Sequence, residues 1–214
     1  FLFEISHFIK RKKMECGLRL IHSSERVLQQ FPEGFSEYTE ARMSNLDIDF
    51  QQNTYYQEQA ENSIFLKSKE TKKEFELPSK ITLLFLGNNP GKRLSANTFG
   101  QVIINNQPIR NIFIAGDCSN YDSCGSNTMS AQSSVRKGRL AACNILRDSS
   151  ILKIFEPYLH QDLGYVISLG PKDAVGWLAV ENNVVGGTPA LLLKETVESQ
   201  YDLLLATGID TYLM

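Results

Sequence analysis

Asn111-Ile112-Phe113-Ile114-Ala115-Gly116-Asp117 decides the reading of this chain, together with the helical run over 128–146 that follows it. Apolar residues 112–115 ahead of a glycine and an acid predict a buried parallel strand whose end delivers one carboxylate into a cleft. The connecting loop is rich in small polar residues (Ser119, Asn120, Ser123, Gly125, Ser126, Asn127) and enters a helix near Thr128. In open α/β sheets a ligand lies outside the carboxyl ends of the strands, where such loops feed helix N-termini. The free N–H groups and positive dipole end of this helix would face whatever Asp117 holds.

Composition sets the outer bounds. With 214 residues, 42% hydrophobic and 21% charged, the chain has room for one large domain or two small ones. A formal net charge of −2 gives no electrostatic case for nucleic acid. Cys16, Cys118, Cys124 and Cys143 are scattered without the paired spacing of a zinc site, so no metal site is expected and free thiols in a reducing compartment are. No run approaches the about 18 apolar residues of a membrane span, and no signal peptide is visible. The chain opens as Phe1-Leu2-Phe3-Glu4-Ile5, already at helical spacing and without an initiator methionine, which leads us to expect a piece of a longer protein.

Working outward, Phe1, Phe3, Ile5, Phe8 and Ile9 predict a helix closed by the positive residues 10–13. Residues 17–21 read as a short strand ending at His22, residues 35–45 as a helix capped by Ser36, and 46–50 as a brief strand, a β-α-β beginning. Alternating Ile64, Leu66, Phe75 and Leu77 around the charged residues 67–73 predict a hairpin with a solvated tip. The apolar run 81–86 reads as a strand covered on both faces, ending in the turn Gly87-Asn88-Asn89-Pro90-Gly91. Residues 101–104 read as another short strand. Pro157 marks a boundary, beyond which 165–169 and 174–180 resemble strands and 189–206 a helix capped by Thr188, with Pro189 in its first turn and a broad apolar face.

Taken by itself, Asp117 suits two roles. A carboxylate fixed at a strand end and shielded from bulk water accepts hydrogen bonds well from sugar or ribityl hydroxyls, yet Gly-Asp pairs also simply order turns. His22 and Arg26 are open in the same way: each suits a structural loop, and Arg26 also suits a phosphate.

Residues 102–118, ending in Arg110-Asn111-Ile112-Phe113-Ile114-Ala115-Gly116-Asp117-Cys118, resemble the second flavin motif of the pyridine-nucleotide-dependent FAD oxidoreductases. The run from Ser130-Ala131-Gln132 through Gly138-Arg139-Leu140-Ala141-Ala142 to Asn144-Ile145 resembles the helix that follows that motif. Residues 1–5 resemble the helix after the glycine-rich loop of the family's NAD(P)H domain, and 18–23 its second strand. Gly87-Asn88-Asn89-Pro90 stands where the family has a Thr-Gly-x-x-Pro turn, with Leu86 in the threonine place. Ala131-Gln132 and the segment 168–176 resemble type II NADH dehydrogenases and apoptosis-inducing-factor-like quinone reductases.

The resemblance implies an α/β fold, part of a flavoprotein with two dinucleotide-binding domains (FAD and NAD(P)) and a small C-terminal α+β extension. It divides the chain into an N-terminally truncated NAD(P)H-binding Rossmann-like domain (1–95), the second half of an FAD-binding domain (96–150) and a C-terminal domain (151–214). Both glycine-rich loops fall outside the sequence. The implied FAD ligands are Gly116 and Asp117, for the ribityl chain, with Ala131 and Gln132 at the flavin ring. His22, in place of the usual acid, and Gly87 fall to NADH or NADPH. Gln132 faces a quinone-like acceptor together with Arg136, which replaces a family glutamine. No catalytic side chain is implied, because the flavin carries the chemistry. The expectation is an NAD(P)H dehydrogenase of quinone type within a longer chain, inactive as this piece alone, cytoplasmic and peripheral on the membrane through its C-terminal region, with a homodimer as a further expectation. Two alternatives remain: a sulfide- or disulfide-linked flavoenzyme using Cys118 or Cys124, and a non-catalytic dimerisation or interaction module derived from a flavoprotein.

Overall fold

In the computed structural model, which describes residues 1–85, 93–122, 127–149, 154–159, 162, 164–180 and 182–208, the chain starts with α1 (Leu2–Lys12). Lys10, Arg11 and Lys12 fill its last turn, where positive charge meets the carbonyl end of the helix dipole. Lys13 stops it in the left-handed conformation, donating its N–H to the Lys10 carbonyl. Leu2 and Phe3 turn inward onto Val27, Met43 and Ile48. Around that core β1 (Leu18–Ile21), α2 (Glu33–Ser44) and β2 (Ile48–Gln51) form the expected β-α-β beginning, with β1 and β2 parallel and Leu18 opposite Ile48.

An antiparallel sheet follows, built from β3 (Thr54–Gln59), β4 (Ser63–Ser68) and β5 (Glu74–Pro78). The expected hairpin is β4 with β5, and β3 extends it on the other side of β4. Strand alternation buries Ile64 and Leu66 and leaves Phe65 and Glu76 outside.

Two expectations in this region are corrected. Ser36 does not cap α2: the helix begins at Glu33 after Pro32, and Ser36 Oγ donates to the Val27 carbonyl at 2.6 Å. Nor do residues 81–85 form a covered strand, for Ile81 is 83% exposed and Phe85 67%. An apolar run states a demand for cover without saying what supplies it, and the β1–β2 ladder does not extend to these residues. Leu86 and the turn at Gly87 lie outside the described residues.

Next come β6 (Leu94–Ala96), β7 (Gln101–Ile104), β8 (Gln107–Phe113) and β9 (Ser119–Tyr121), in the sheet order β8-β7-β6-β9. Only β6 with β9 is parallel. The buried parallel strand expected over 111–115 is therefore corrected: its first half is the end of β8, antiparallel to β7, and Ile112 is 47% exposed. The cause is local. Asn105 and Asn106 both adopt positive φ (51° and 61°), the conformation of a two-residue hairpin turn, which Asn tolerates better than other side chains.

Then α3 (Ala131–Asp148) begins where Ser130 Oγ accepts the Ser133 N–H at 3.1 Å. Its buried stripe is Ser133, Lys137, Leu140, Ala141 and Asn144. Asn144 is fully buried and saturated: Nδ2 donates to the carbonyls of Phe99 (2.9 Å) and Glu156 (2.8 Å), and Oδ1 accepts the Glu156 N–H (2.8 Å).

The chain closes with β10 (Gly164–Ser168), β11 (Ala174–Leu178) and β12 (Val184–Gly186), an antiparallel sheet, and α4 (Thr188–Thr207). Thr188, the expected cap, is the first helical residue; the cap position is Gly187 and carries no side-chain bond. Residues 163–214 belong to one compact unit with 1–84, and residues 85–162 form the other. Leu169, Val175 and Trp177 share a core with Phe35 of α2, so the C-terminal strands are built onto the N-terminal unit. On α4 only Ala190 is buried, while Leu192, Val197, Tyr201, Leu203 and Leu205 are exposed.

Asp173 joins these parts of the unit chemically. It is 5% exposed, pairs through Oδ2 with Arg42 Nε at 2.6 Å, and accepts at Oδ1 from the Tyr38 hydroxyl and the Ala174 N–H, both at 2.9 Å. Burial, followed by the Asp173 hydrogen bond, raises the Tyr38 pKa. Asp173→Ala strands Arg42 and Tyr38 together, and since Arg42 is partly exposed the cost should be about 2 kcal/mol. Chemical denaturation should show this loss with an unchanged denaturant slope, and Asp173→Asn should recover part of it.

Candidate functional site

Gly116 adopts φ 77°, and this left-handed step turns the chain out of the region after β8 and exposes Asp117. One carboxylate oxygen, Oδ1, accepts from Ser134 Oγ at 2.9 Å, tying Asp117 to the first turn of α3. No other hydrogen bond to this carboxylate occurs among the described residues. Within that first turn the Ser133 N–H is taken by the Ser130 cap and the Ser134 N–H by the Ser130 carbonyl. The N–H groups of Ala131 and Gln132 have no acceptor among the described residues. A carboxylate with spare lone pairs thus stands beside two free donors at the positive end of a helix dipole. Such a pairing binds a ligand that offers hydroxyls to the acid and electron-rich oxygen or nitrogen to the donors.

The structure brings Asp117, Ala131, Gln132 and Arg136 to this one end of α3, with Gln132 and Arg136 one helical turn apart and both half-buried. His22 is not part of this unit. His22 lies in the other unit at the end of β1, where its Nδ1 accepts the Ser24 N–H at 3.0 Å and orders a turn. Arg26 is similarly occupied, donating to Ser36 Oγ at 2.8 Å and to the carbonyls of Gln29 and Phe31. Gly87 and Cys124 lie outside the described residues, while Cys118 is exposed and free.

Sequence reasoning missed Lys137, Tyr121 and Tyr158. Lys137 is only 1% exposed, with its ammonium 5.2 Å from the centre of the Tyr121 ring and 5.7 Å from that of Tyr158. The two rings meet edge to face at 5.0 Å. Tyr121 OH donates to the Ile114 carbonyl, and Tyr158 OH is 3.1 Å from Ser133 Oγ. The one available signal was spacing, since Ser133, Lys137 and Asn144 recur on a single helix face, but a polar stripe reads from sequence as the solvated side. Arg93 and Asn127 complete the surroundings: Arg93 donates to the carbonyls of Ser119 and Asn127, and the Asn127 amide bonds both backbone groups of Tyr121.

The described residues thus form a mixed α/β fold in which an acid is tied to a helix N-terminus. The chain belongs to the pyridine nucleotide-disulphide oxidoreductase family, whose model matches residues 4–138, more than half of its length. Among solved structures it resembles NDH2 from Plasmodium falciparum in complex with RYL-552, at 14% identity and TM-score 0.72, over 94% of this chain and 59% of that one. Sulfide:quinone oxidoreductase from Aquifex aeolicus is similar at 14% identity and TM-score 0.66, over 99% and 55%. An NAD-dependent persulfide reductase from A. fulgidus follows at 11% identity and TM-score 0.57, over 80% and 32%. The fold is thus the one these solved structures share, and the chain spans 59% or less of the length of each. No curated protein sequence matches it.

Burial pushes the Tyr121 phenol up to about 12 and raises that of Tyr158 as well. Below pH 10 the folded and unfolded chains both keep the Tyr121 proton; between pH 10 and about 12 only the folded chain does, so its contribution to stability falls as pH rises through that window. Lys137 acts in the opposite sense: burial and then Arg93 lower its pKa, so stability rises with pH up to the ordinary lysine value of 10.5. An absorbance titration of tyrosinate should show a late class near pH 12 that Tyr121→Phe removes, along with part of the alkaline loss of stability.

Proposed function

We propose that the protein is an FAD-dependent NAD(P)H oxidoreductase that passes electrons to a quinone-like acceptor, and that these 214 residues supply its NAD(P)H-binding portion (1–95), the second part of its FAD-binding portion (96–150) and a C-terminal portion (151–214). One observation carries this reading: Asp117, tied to Ser134 but with carboxylate capacity to spare, stands beside the free N–H groups of Ala131 and Gln132. FAD fits that donor set. The Asp117 carboxylate would accept from the ribityl hydroxyls, Gly116 would let the backbone turn without a side chain in the way, and Ala131 and Gln132 would donate to the pyrimidine edge of the ring system. When bound, FAD supplies the capacity to take a hydride and release electrons. The protein orients it and sets its surroundings, with Gln132 and Arg136 facing the acceptor.

Family membership supports the nucleotide cofactors, and the likeness to an NDH2 structure in complex with NADH supports NADH or NADPH as the electron donor. The likeness to a sulfide:quinone oxidoreductase favours a quinone-like acceptor. His22 and Gly87 remain the proposed contacts to the nicotinamide nucleotide. No helix among the described residues is long and apolar enough to cross a membrane. We place the protein in the cytoplasm, with the exposed apolar side chains of α4 reaching a membrane surface or a second subunit.

A second reading rests on the exposed, free Cys118 directly after Asp117: sulfide- or disulfide-linked chemistry through Cys118 and Cys124. The double variant Cys118→Ser/Cys124→Ser separates the two, since quinone reduction by NAD(P)H should survive it and thiol-dependent turnover should not.

Removing a charged acceptor costs roughly 1.5–3 kcal/mol, so Asp117→Ala should weaken FAD binding about 10- to 100-fold. Flavin content and fluorescence titration of the purified protein measure this. A wild-type protein without flavin affinity, or an Asp117→Ala variant that binds as wild type does, would overturn the proposal.

A further inference from the structure

Among the described residues, Lys137 is a buried cation without a salt-bridge partner. Lysine is almost never fully buried unless paired, yet among the described residues its ammonium forms no ion pair and donates no hydrogen bond, resting instead on the faces of Tyr121 and Tyr158. Both rings are fixed by their own hydroxyl contacts, to the Ile114 carbonyl and to Ser133. Such a cage holds a charge without neutralising it. The charges that act on the ammonium are Arg93, which opposes it, and Asp117 and Asp162, which favour it. Asp117 is tied to Ser134, one turn before Lys137 on the same helix.

We propose that Lys137 is a positioning residue for the Asp117 site, a buried counter-charge that keeps the exposed carboxylate favourable once a hydroxyl-bearing ligand covers it and removes it from water. Covering a carboxylate takes away its solvation, and a nearby cation offsets that cost most effectively where the medium between them is protein and not water. A lysine consumed by its own salt bridge would not act in this way. The inference rests on the flavin reading of the site and adds to it a residue that touches Asp117 only through the field.

The test uses the wild-type protein stripped of FAD and titrated with it by flavin fluorescence, beside Lys137→Met, Lys137→Arg, Asp117→Asn and the combined Lys137→Met/Asp117→Asn variant. Lys137→Met removes a buried charge and keeps the volume, so its melting temperature should equal or exceed that of the wild type. Its affinity for FAD should nevertheless fall about 5- to 10-fold, the scale of a modest coupling between sites. Lys137→Arg should restore most of the loss. In the Asp117→Asn background, Lys137→Met should change affinity by less than about twofold. Equal losses in both backgrounds, a Lys137→Arg variant as weak as Lys137→Met, or a Lys137→Met protein that melts well below the wild type or fails to fold would each show a structural role and overturn the inference. Unchanged affinity in Lys137→Met would overturn it while leaving the flavin reading intact. A wild-type protein that binds no FAD would overturn both.

Discussion

The site depends on where α3 is pinned, and Asn144 does much of the pinning. Its amide group saturates backbone groups of Phe99 and Glu156, which no helix or sheet ladder satisfies. Burying those groups unpaired would be costly, so the helix has one well-defined seat. Two turns earlier, the same face puts Lys137 over the rings of Tyr121 and Tyr158, and one turn before that Ser133 reaches Tyr158. The neighbouring face then presents Ser134 to Asp117. A single buried polar stripe thus orients the end of the helix that meets ligand. An apolar stripe would have given the helix comparable burial with less control over its rotation and register, because apolar contacts carry little direction.

The other unit solves a similar problem with charge. Tyr38 and Arg42 lie one turn apart on α2, and Asp173 sits at the turn between β10 and β11. The acid is nearly sealed from solvent, so the ion pair with Arg42 stabilises only because two hydrogen-bond donors, the Tyr38 hydroxyl and the Ala174 N–H, share the carboxylate with it. Phe35, one turn earlier on α2, enters the apolar core with Trp177 and Val175, so direction comes from the carboxylate and the driving force from the rings. Gly186 shows how tight this seat is: a Cβ there would lie 2.2 Å from the Tyr38 ring.

Local signals in the sequence were legible. Positive residues closing α1, alternation in β4 and β5, the strands flanking Gly170-Pro171-Lys172-Asp173 and the Gly-Asp step at 116–117 all express preferences settled within a few residues. What sequence could not reveal was pairing. The runs 81–86 and 111–115 look alike, apolar and near-continuous; the first reads as a strand covered on both faces and the second as a buried parallel strand. In the structure 81–85 enters no sheet, and the start of 111–115 belongs to an antiparallel hairpin set by Asn105 and Asn106. Hydrophobicity specifies that a segment should be covered, whereas register and direction depend on turn geometry and on the neighbouring strand. Lys137 escaped for the converse reason. A charged residue on an amphipathic helix reads as solvated, and only the packed position of two tyrosines distant in sequence reveals that it is not.

The two apolar runs also bear on how the candidate site works. Ile81, Leu83 and Leu84 in one unit and Phe85 and Ile112 in the other are exposed, and α4 adds Leu192, Val197 and Leu205. Exposed apolar side chains grouped on one element, as on α4, mark places where something else is received. Ile112 lies five residues before Asp117, on the strand that leads to the Gly116 turn. Whatever covers that strand therefore also sets how much water reaches the carboxylate. With the strand open, Asp117 is well hydrated and its hydrogen bonds to a ligand compete with water. With it covered, the same bonds form in a drier setting, where each is worth more and an uncompensated charge costs more. That is the setting in which a fixed cation on the buried face of the helix matters, and it explains in physical terms why the buried stripe of α3 includes a lysine where a leucine would have packed more cheaply.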